Sequence, residues 1–125
     1  MAKLHNRLLR SETAVIALHQ TAGKGQRGRQ WQTIAGENIT MSTVFNASGL
    51  HSVARFPFLL AAAAALGCYD FFKDLEVQDV TIKWPNDVYL GDRKAGGILI
   101  ENVLRGSAIE WSIVGTGINV NQTKF

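Results

Sequence analysis

One cysteine, two prolines and three histidines in 125 residues set the first limits on this chain. Cys68 has no second cysteine with which to form an intramolecular disulfide. His5, His19 and His51 are too scattered to build a zinc-ligand set, so no structural metal is expected. No apolar run is long enough to span a bilayer, and no basic segment leads into a signal-like apolar one; the chain therefore reads as cytoplasmic, with no membrane partner. Acids are the minority charge, ten against thirteen Lys and Arg, for a net +3. That excess permits an anionic partner but falls short of the dense basic patterning of a dedicated nucleic-acid binder. Internal repeats and low-complexity tracts are missing too. A chain of this length supports one core, burying roughly two thirds of its unfolded surface.

What is present reads as strands around one helix. Residues 13–19 (TAVIALH) are β-branched and apolar enough for a buried strand, and 20–36 form a long loop punctuated by glycine. Residues 38–45 (NITMSTVF) alternate, which places Ile39, Met41, Thr43 and Phe45 on one face and Thr40, Ser42 and Val44 on the other. The alanine-rich stretch 56–75 predicts one long helix, with Pro57 tolerable only in its first turn. Its apolar residues go nearly all round, which predicts burial. Four closely spaced strand-like runs follow, 80–84, 87–90, 94–104 and 109–120, and their short connections predict antiparallel hairpins. About ten N-terminal residues read as a tail. Two strands, a helix and an antiparallel meander make an α+β class.

The segment GKGQRG at 23–28 has the spacing G-x-G-x-x-G. A dinucleotide fingerprint needs a helix directly after the glycines, and a P-loop needs Lys then Ser or Thr; here a loop and another strand follow, so both readings fail. What survives is a cationic loop, with Lys24, Arg27 and Arg29 and no acid between Gln20 and Gly36, whose backbone can approach a phosphate closely. Trp31 closes it, to stack on a ring or to pin the loop. A surface loop with chance basic residues is the bland alternative.

A second cluster spans 83–101, KWPNDVYLGDRKAGGILIE. Asn86 and Asp87 follow a proline that ends ladder pairing. Gly91-Asp92 fits a type II′ hairpin; Tyr89 then pairs with Lys94, and Lys94 shares a face with Asp87. A turn one residue longer would reverse that face, and a solvated lysine is the alternative. Gly96-Gly97 and Gly115 with Gly117 mark close approach of backbone or ligand, or else bulges. Cys68, Trp84 and Trp111 read as core residues.

Three blocks, QTAGKGQRGRQW (20–31), KWPND…KAGGILIE (83–101) and GTGINVN (115–121), resemble in order those of the catalytic domain of biotin protein ligases, which adenylate biotin and attach it to a carrier-domain lysine. The resemblance runs roughly from Thr13 to Asn121. It implies the α+β fold shared with class II aminoacyl-tRNA synthetase cores: a mixed, mostly antiparallel sheet with one long helix, residues 1–125 forming a single partial domain truncated at both ends. By that resemblance Gln20 meets the biotin head group, and the loop bearing Gly23, Gly25, Arg27, Arg29 and Trp31 folds over biotin and the adenylate phosphate. Lys94 lies near the biotin carboxylate and α-phosphate and shares catalysis with Asp87. Asn86 and Asp87 serve ATP and Mg²⁺, while Gly97, Gly115, Gly117 and Asn119 contact biotin and nucleotide. The implied partners are biotin, ATP and the biotin carrier domain of a carboxylase, with a homodimer formed by sheets pairing side by side, and no nucleic acid.

The chain departs from the family pattern in three places. Gln26 stands where many members carry an arginine that contacts the adenylate; the biotin-binding Ser-Thr-Asn segment has no counterpart in residues 1–10; and the remaining core helices and the small β domain do not follow Phe125. A non-catalytic fragment retaining the fold and partial ligand or carrier binding is therefore the alternative. A lipoate ligase fits the KWPND block less well. Nucleic-acid binding fits least, since only Trp31 sits among the loop cations.

Overall fold

A computed structural model describes residues 13–47 and 57–125. The N-terminal residues read as a tail, His5, His51 and the expected helix start at Phe56 lie outside them. The elements are β1 (Thr13–Ile16), β2 (Gly23–Lys24), β3 (Gln30–Trp31), β4 (Asn38–Asn46), α1 (Pro57–Asp74), β5 (Val80–Lys83), β6 (Asp87–Leu90), β7 (Arg93–Arg105) and β8 (Ala108–Asn119). Six strands make one sheet in the order β1-β4-β8-β7-β6-β5, with every described pair antiparallel, and β2 and β3 form a separate ribbon. The fold is α+β.

The hairpins follow from turn chemistry. Gly91 carries φ +58°, the value that the first central position of a type II′ turn needs, and Leu90 pairs with Arg93 across it. The long β7–β8 hairpin turns at Gly106, φ +63°. α1 starts at Pro57, whose missing N–H is no loss in a first turn. It ends in a left-handed Glu76, φ 57°, where Val77 N–H donates to Phe72 O and Glu76 N–H to Lys73 O, the paired bonds that satisfy the last carbonyls.

One helix laid on one sheet face can bury only one stripe. α1 packs on β5, β6 and β7, turning Leu60, Ala65, Cys68 and Phe72 inward onto Val88, Ile98, Val114 and Ile118. Two expectations of burial therefore fail. Phe58, Leu59, Leu66 and Leu75 of the helix segment stay exposed, and so do Val15, Ile16 and Leu18, because β1 is the far edge strand, out of reach of α1. Trp84 is not core either: it is 56% exposed, edge-on to Phe58. Cys68 is a core residue as expected, and burial pushes its thiol pKa up, which keeps it protonated and unreactive.

Phe72, 5% exposed, joins the helix to the sheet. Phe72→Ala should cost about 3–5 kcal/mol, read as a lowered urea midpoint at unchanged slope. A loss below about 1 kcal/mol would mean that α1 is held by other contacts.

Candidate functional site

The sheet face opposite α1 is where the three sequence blocks meet. Cross-strand partners share a face, so the register Lys83↔Asp87↔Gly97↔Gly117↔Thr40 forms one row across five strands. Two residues along, Leu99, Gly115, Ser42 and Val15 form the next row. Glycines at 97, 115 and 117 leave a floor without side chains, bordered by Thr40, Ser42 and Leu99.

Lys94 reaches this floor through an irregularity in the ladder. Tyr89 pairs with Lys94, but Val88 pairs with Gly96, so Ala95 is an extra residue in β7. That bulge resets the alternation and puts Lys94 and Gly97 on the same face although they are three residues apart. Lys94 Nζ lies 2.7 Å from Asp87 Oδ1 and 5.6 Å from the centre of the Trp31 ring. The carboxylate and the aromatic face thus hold the ammonium from two sides. Lys94 and Asp87 face one site, as the hairpin register predicts; with Lys94 37% exposed the pair adds little to stability, so its importance is position.

The glycine-rich loop is a flap over this floor. Gly23 pairs with Trp31 and Lys24 with Gln30, and residues Gln26–Gly28 form a 3-10 turn with Arg27 left-handed at φ 55°. A Cβ on Gly23 would come 2.2 Å from the Trp31 carbonyl oxygen, so only glycine lets the ribbon close. Gly25 N–H donates to Arg29 O at 2.7 Å, tightening the tip. The legs are tied below: Thr33 Oγ1 donates to Gln20 O, and the buried Gln122 accepts through Oε1 from Ile34 N–H and Asn38 Nδ2. Trp31 lies on the glycine floor, where a Cβ on Gly117 would stand 2.5 Å, and one on Gly97 2.9 Å, from its ring.

Between flap and floor is a cleft of about 300 Å³, lined by Gln20, Gly25, Trp31, Asn86, Lys94, Gly97, Gly115 and Gly117 among others. A wider recess of about 920 Å³ runs along the outer side of the flap and includes Gly23, Arg29, Glu101 and Gln122. Arg27 is exposed and lines neither. Asn86 Nδ2 donates to Ile98 O and its carbonyl accepts from Ile98 N–H, which fastens the turn after Pro85 to β7. Asn119 Nδ2 donates to Lys94 O, a support for the lysine's backbone.

Three buried polar atoms around Lys94 have no directional hydrogen-bond partner among the described residues: Trp31 Nε1, Asp87 Oδ1 (despite the close ammonium) and Asn119 Oδ1. Buried polar groups are nearly always satisfied: Asp87 Oδ1 has the Lys94 ammonium at 2.7 Å, and Trp31, which lines the cleft, leaves its Nε1 open to a ligand's acceptor. Asn119 Oδ1 is the one acceptor of the three without a charged neighbour in an ion pair. No cluster of three or more His, Cys, Asp or Glu exists among the described residues, so a hard divalent ion would need a ligand's own oxygens as well. Thr40, Ser42 and Leu99 were not singled out by motif; the alternation of 38–45 is the signal that groups Thr40 with Ser42, and only the register turns that face toward the cleft.

A cationic glycine flap over a side-chain-free floor, with a lysine at one end and apolar and hydroxyl groups at the other, has the shape and charge to suit an anionic, partly apolar small molecule. Comparison with known proteins gives the family: the biotin/lipoate A/B protein ligase family matches residues 2–119, and the chain belongs to it. Among similar proteins, the bifunctional ligase/repressor BirA of Salmonella typhimurium is 34% identical over 112 residues, 90% of this chain and 34% of the relative. The biotin–[acetyl-CoA-carboxylase] ligase of Paracoccus denitrificans is 35% identical over 85% of this chain and 43% of that protein. Biotin protein ligase from Aquifex aeolicus in complex with biotin and ATP superposes with TM-score 0.71 at 31% identity, covering 94% of this chain and 46% of that one. The Helicobacter pylori biotin acetyl coenzyme A carboxylase synthetase gives 0.68 at 35% identity, 98% and 55%. The chain thus spans about a third to a half of the length of these relatives.

Proposed function

We propose that this chain is part of the catalytic domain of a biotin protein ligase, which activates biotin to biotinyl-5′-adenylate with ATP and transfers it to a lysine of a biotin carrier domain of a carboxylase. The observation that carries the reading is Lys94 Nζ, fixed between Asp87 and Trp31 at the end of a glycine-floored cleft under a cationic flap. Attack of a carboxylate on the α-phosphorus brings two anions together, and the reaction proceeds when fixed cations offset their repulsion and hold them in line. Lys94 supplies one such charge, and the flap cation Lys24, which lines the same cleft, supplies a second; Arg29 lies on the wider recess instead. The carboxylate oxygen bonds to the α-phosphorus, the bond from phosphorus to the bridging oxygen breaks, and pyrophosphate leaves with the electron pair; no proton moves. In the second step the carrier amine attacks the acyl carbon, AMP departs and the amine loses one proton.

Gln20 and Ser42 suit the polar head of biotin, and the glycines at 97, 115 and 117 let its flat ring system lie against the backbone. Asp87 and Asn119 would hold Mg²⁺ carried in by ATP, Asp87 through the oxygen not taken by Lys94; Asn86, whose Nδ2 is committed to Ile98, stands next to Asp87 in the chain. When bound, that ion would neutralise phosphate charge. We place the protein in the cytoplasm on composition alone, assign it no nucleic-acid partner on the same ground, and regard side-by-side pairing of sheets as a route to a homodimer. A non-catalytic binder is the second reading, favoured by Arg27, which is exposed and lines neither recess.

Biotin-dependent ATP–pyrophosphate exchange tests this. Exchange that requires biotin supports activation; no exchange from a folded sample overturns it, and calorimetric biotin binding would then identify the non-catalytic binder.

A further inference from the structure

Lys83 opens the KWPND block but has no role in the chemistry described so far. It ends the edge strand β5, opposite Asp87 in the ladder, and so belongs to the row of the cleft floor. Asp87 is its cross-strand neighbour and an obvious partner, yet Asp87 turns its carboxylate to Lys94 at 2.7 Å, and no acid among the described residues lies within salt-bridge distance of Lys83. The Lys83 ammonium is held instead over the Tyr89 ring, 5.5 Å from its centre. Tyr89 is in turn the ladder partner of Lys94. Two ammonium groups thus flank Asp87 and Tyr89 on one face, Lys94 toward the flap and Lys83 toward the open edge of the sheet. The ring holds the Lys83 ammonium without neutralising it, so its full positive charge faces the cleft's open edge.

We propose that Lys83 binds the pyrophosphate portion of ATP and stabilises it as the leaving group, a role that rests on the activation reading above. When the carboxylate oxygen bonds to the α-phosphorus and the bond to the bridging oxygen breaks, the electron pair goes to pyrophosphate, whose added charge develops away from the attacking group. With the attack beside Lys94, that charge emerges toward the edge where Lys83 stands. Its place on the last strand gives the product a direct path to solvent.

Inorganic pyrophosphate with Mg²⁺, titrated into the intact chain by calorimetry, measures this without catalysis. Lys83→Ala should weaken pyrophosphate binding roughly tenfold or more, the worth of one charged contact, and Lys83→Arg should restore most of it, with biotin affinity unchanged in both. In exchange assays the KM for pyrophosphate should rise by a similar factor. Transfer from supplied biotinyl-5′-adenylate to a carrier domain should stay at the parent rate, since pyrophosphate has already gone. Equal pyrophosphate affinity in parent and Lys83→Ala, or no measurable affinity in the parent, overturns the proposal; so does an equal loss in the transfer step, which would place Lys83 at carrier docking. Missing exchange in a parent that binds pyrophosphate through Lys83 would count against the activation reading and not against this site.

Discussion

Lys94→Ala should lower biotin-dependent ATP–pyrophosphate exchange by roughly 100- to 1,000-fold, the loss typical of removing one preorganised group from a developing charge. The fold should survive, because Lys94 is partly exposed and its ion pair contributes little to stability. The substitution does more than delete a charge. Asp87, 21% exposed and then unpaired, would face the incoming phosphate as a bare anion, so the double variant Lys94→Ala/Asp87→Asn should recover part of the binding lost by Lys94→Ala. Lys94→Arg should restore little: a planar fork does not fit a space shaped between a carboxylate and an indole face. Exchange within tenfold of the parent for Lys94→Ala would move the chemistry to the flap cations.

The second large effect is expected at the floor. In Gly117→Ala the new methyl would stand 2.5 Å from Trp31 Cε2 and 2.6 Å from Nε1, distances at which one group must move. The sheet holds Gly117 between long neighbours on both sides, whereas Trp31 rides on a ribbon of two residues per strand; the flap gives way. Overpacking of this kind costs about 1–3 kcal/mol, or roughly 5- to 150-fold in affinity when it falls on the bound state. Biotin affinity measured by calorimetry should drop within that range while the urea midpoint shifts little. Trp31→Ala made in the Gly117→Ala background should cost less than the same change in the parent, since the two side chains contest one space. Unaltered biotin affinity in Gly117→Ala would show that the ligand does not use this floor.

Much of the site was legible in order along the chain. The type II′ turn at Gly91 fixed which face Lys94 takes relative to Tyr89, because a two-residue loop leaves only one register. The bulge at Ala95 was not legible as such: Gly96-Gly97 signalled an irregularity, but which residue is extra depends on how β7 is pulled into line with β8 as well as β6. Burial was read least well. The sequence around α1 and β1 records apolar residues, and an alanine-rich helix that is apolar all round does not say which stripe meets the sheet. Only the placement of α1 over β5, β6 and β7 left Leu59, Leu66, Ile16 and Trp84 in solvent.

By itself the sequence determined the local elements: glycine where φ must be positive, alternation where a strand has two faces, a cationic flap free of acids, and the residues Lys94 and Asp87 at hairpin spacing. Those are properties of near neighbours, set by sterics and turn geometry. The tertiary structure decided what neighbours cannot: that Trp31 closes on glycines 66 and 86 residues further along the chain, that Asp87 chooses Lys94 over its own ladder partner Lys83, and that Thr40 and Ser42 share the face of the glycine floor. Each is a competition between groups distant in sequence for the same space or charge, and it is settled only when all of them are packed on one sheet.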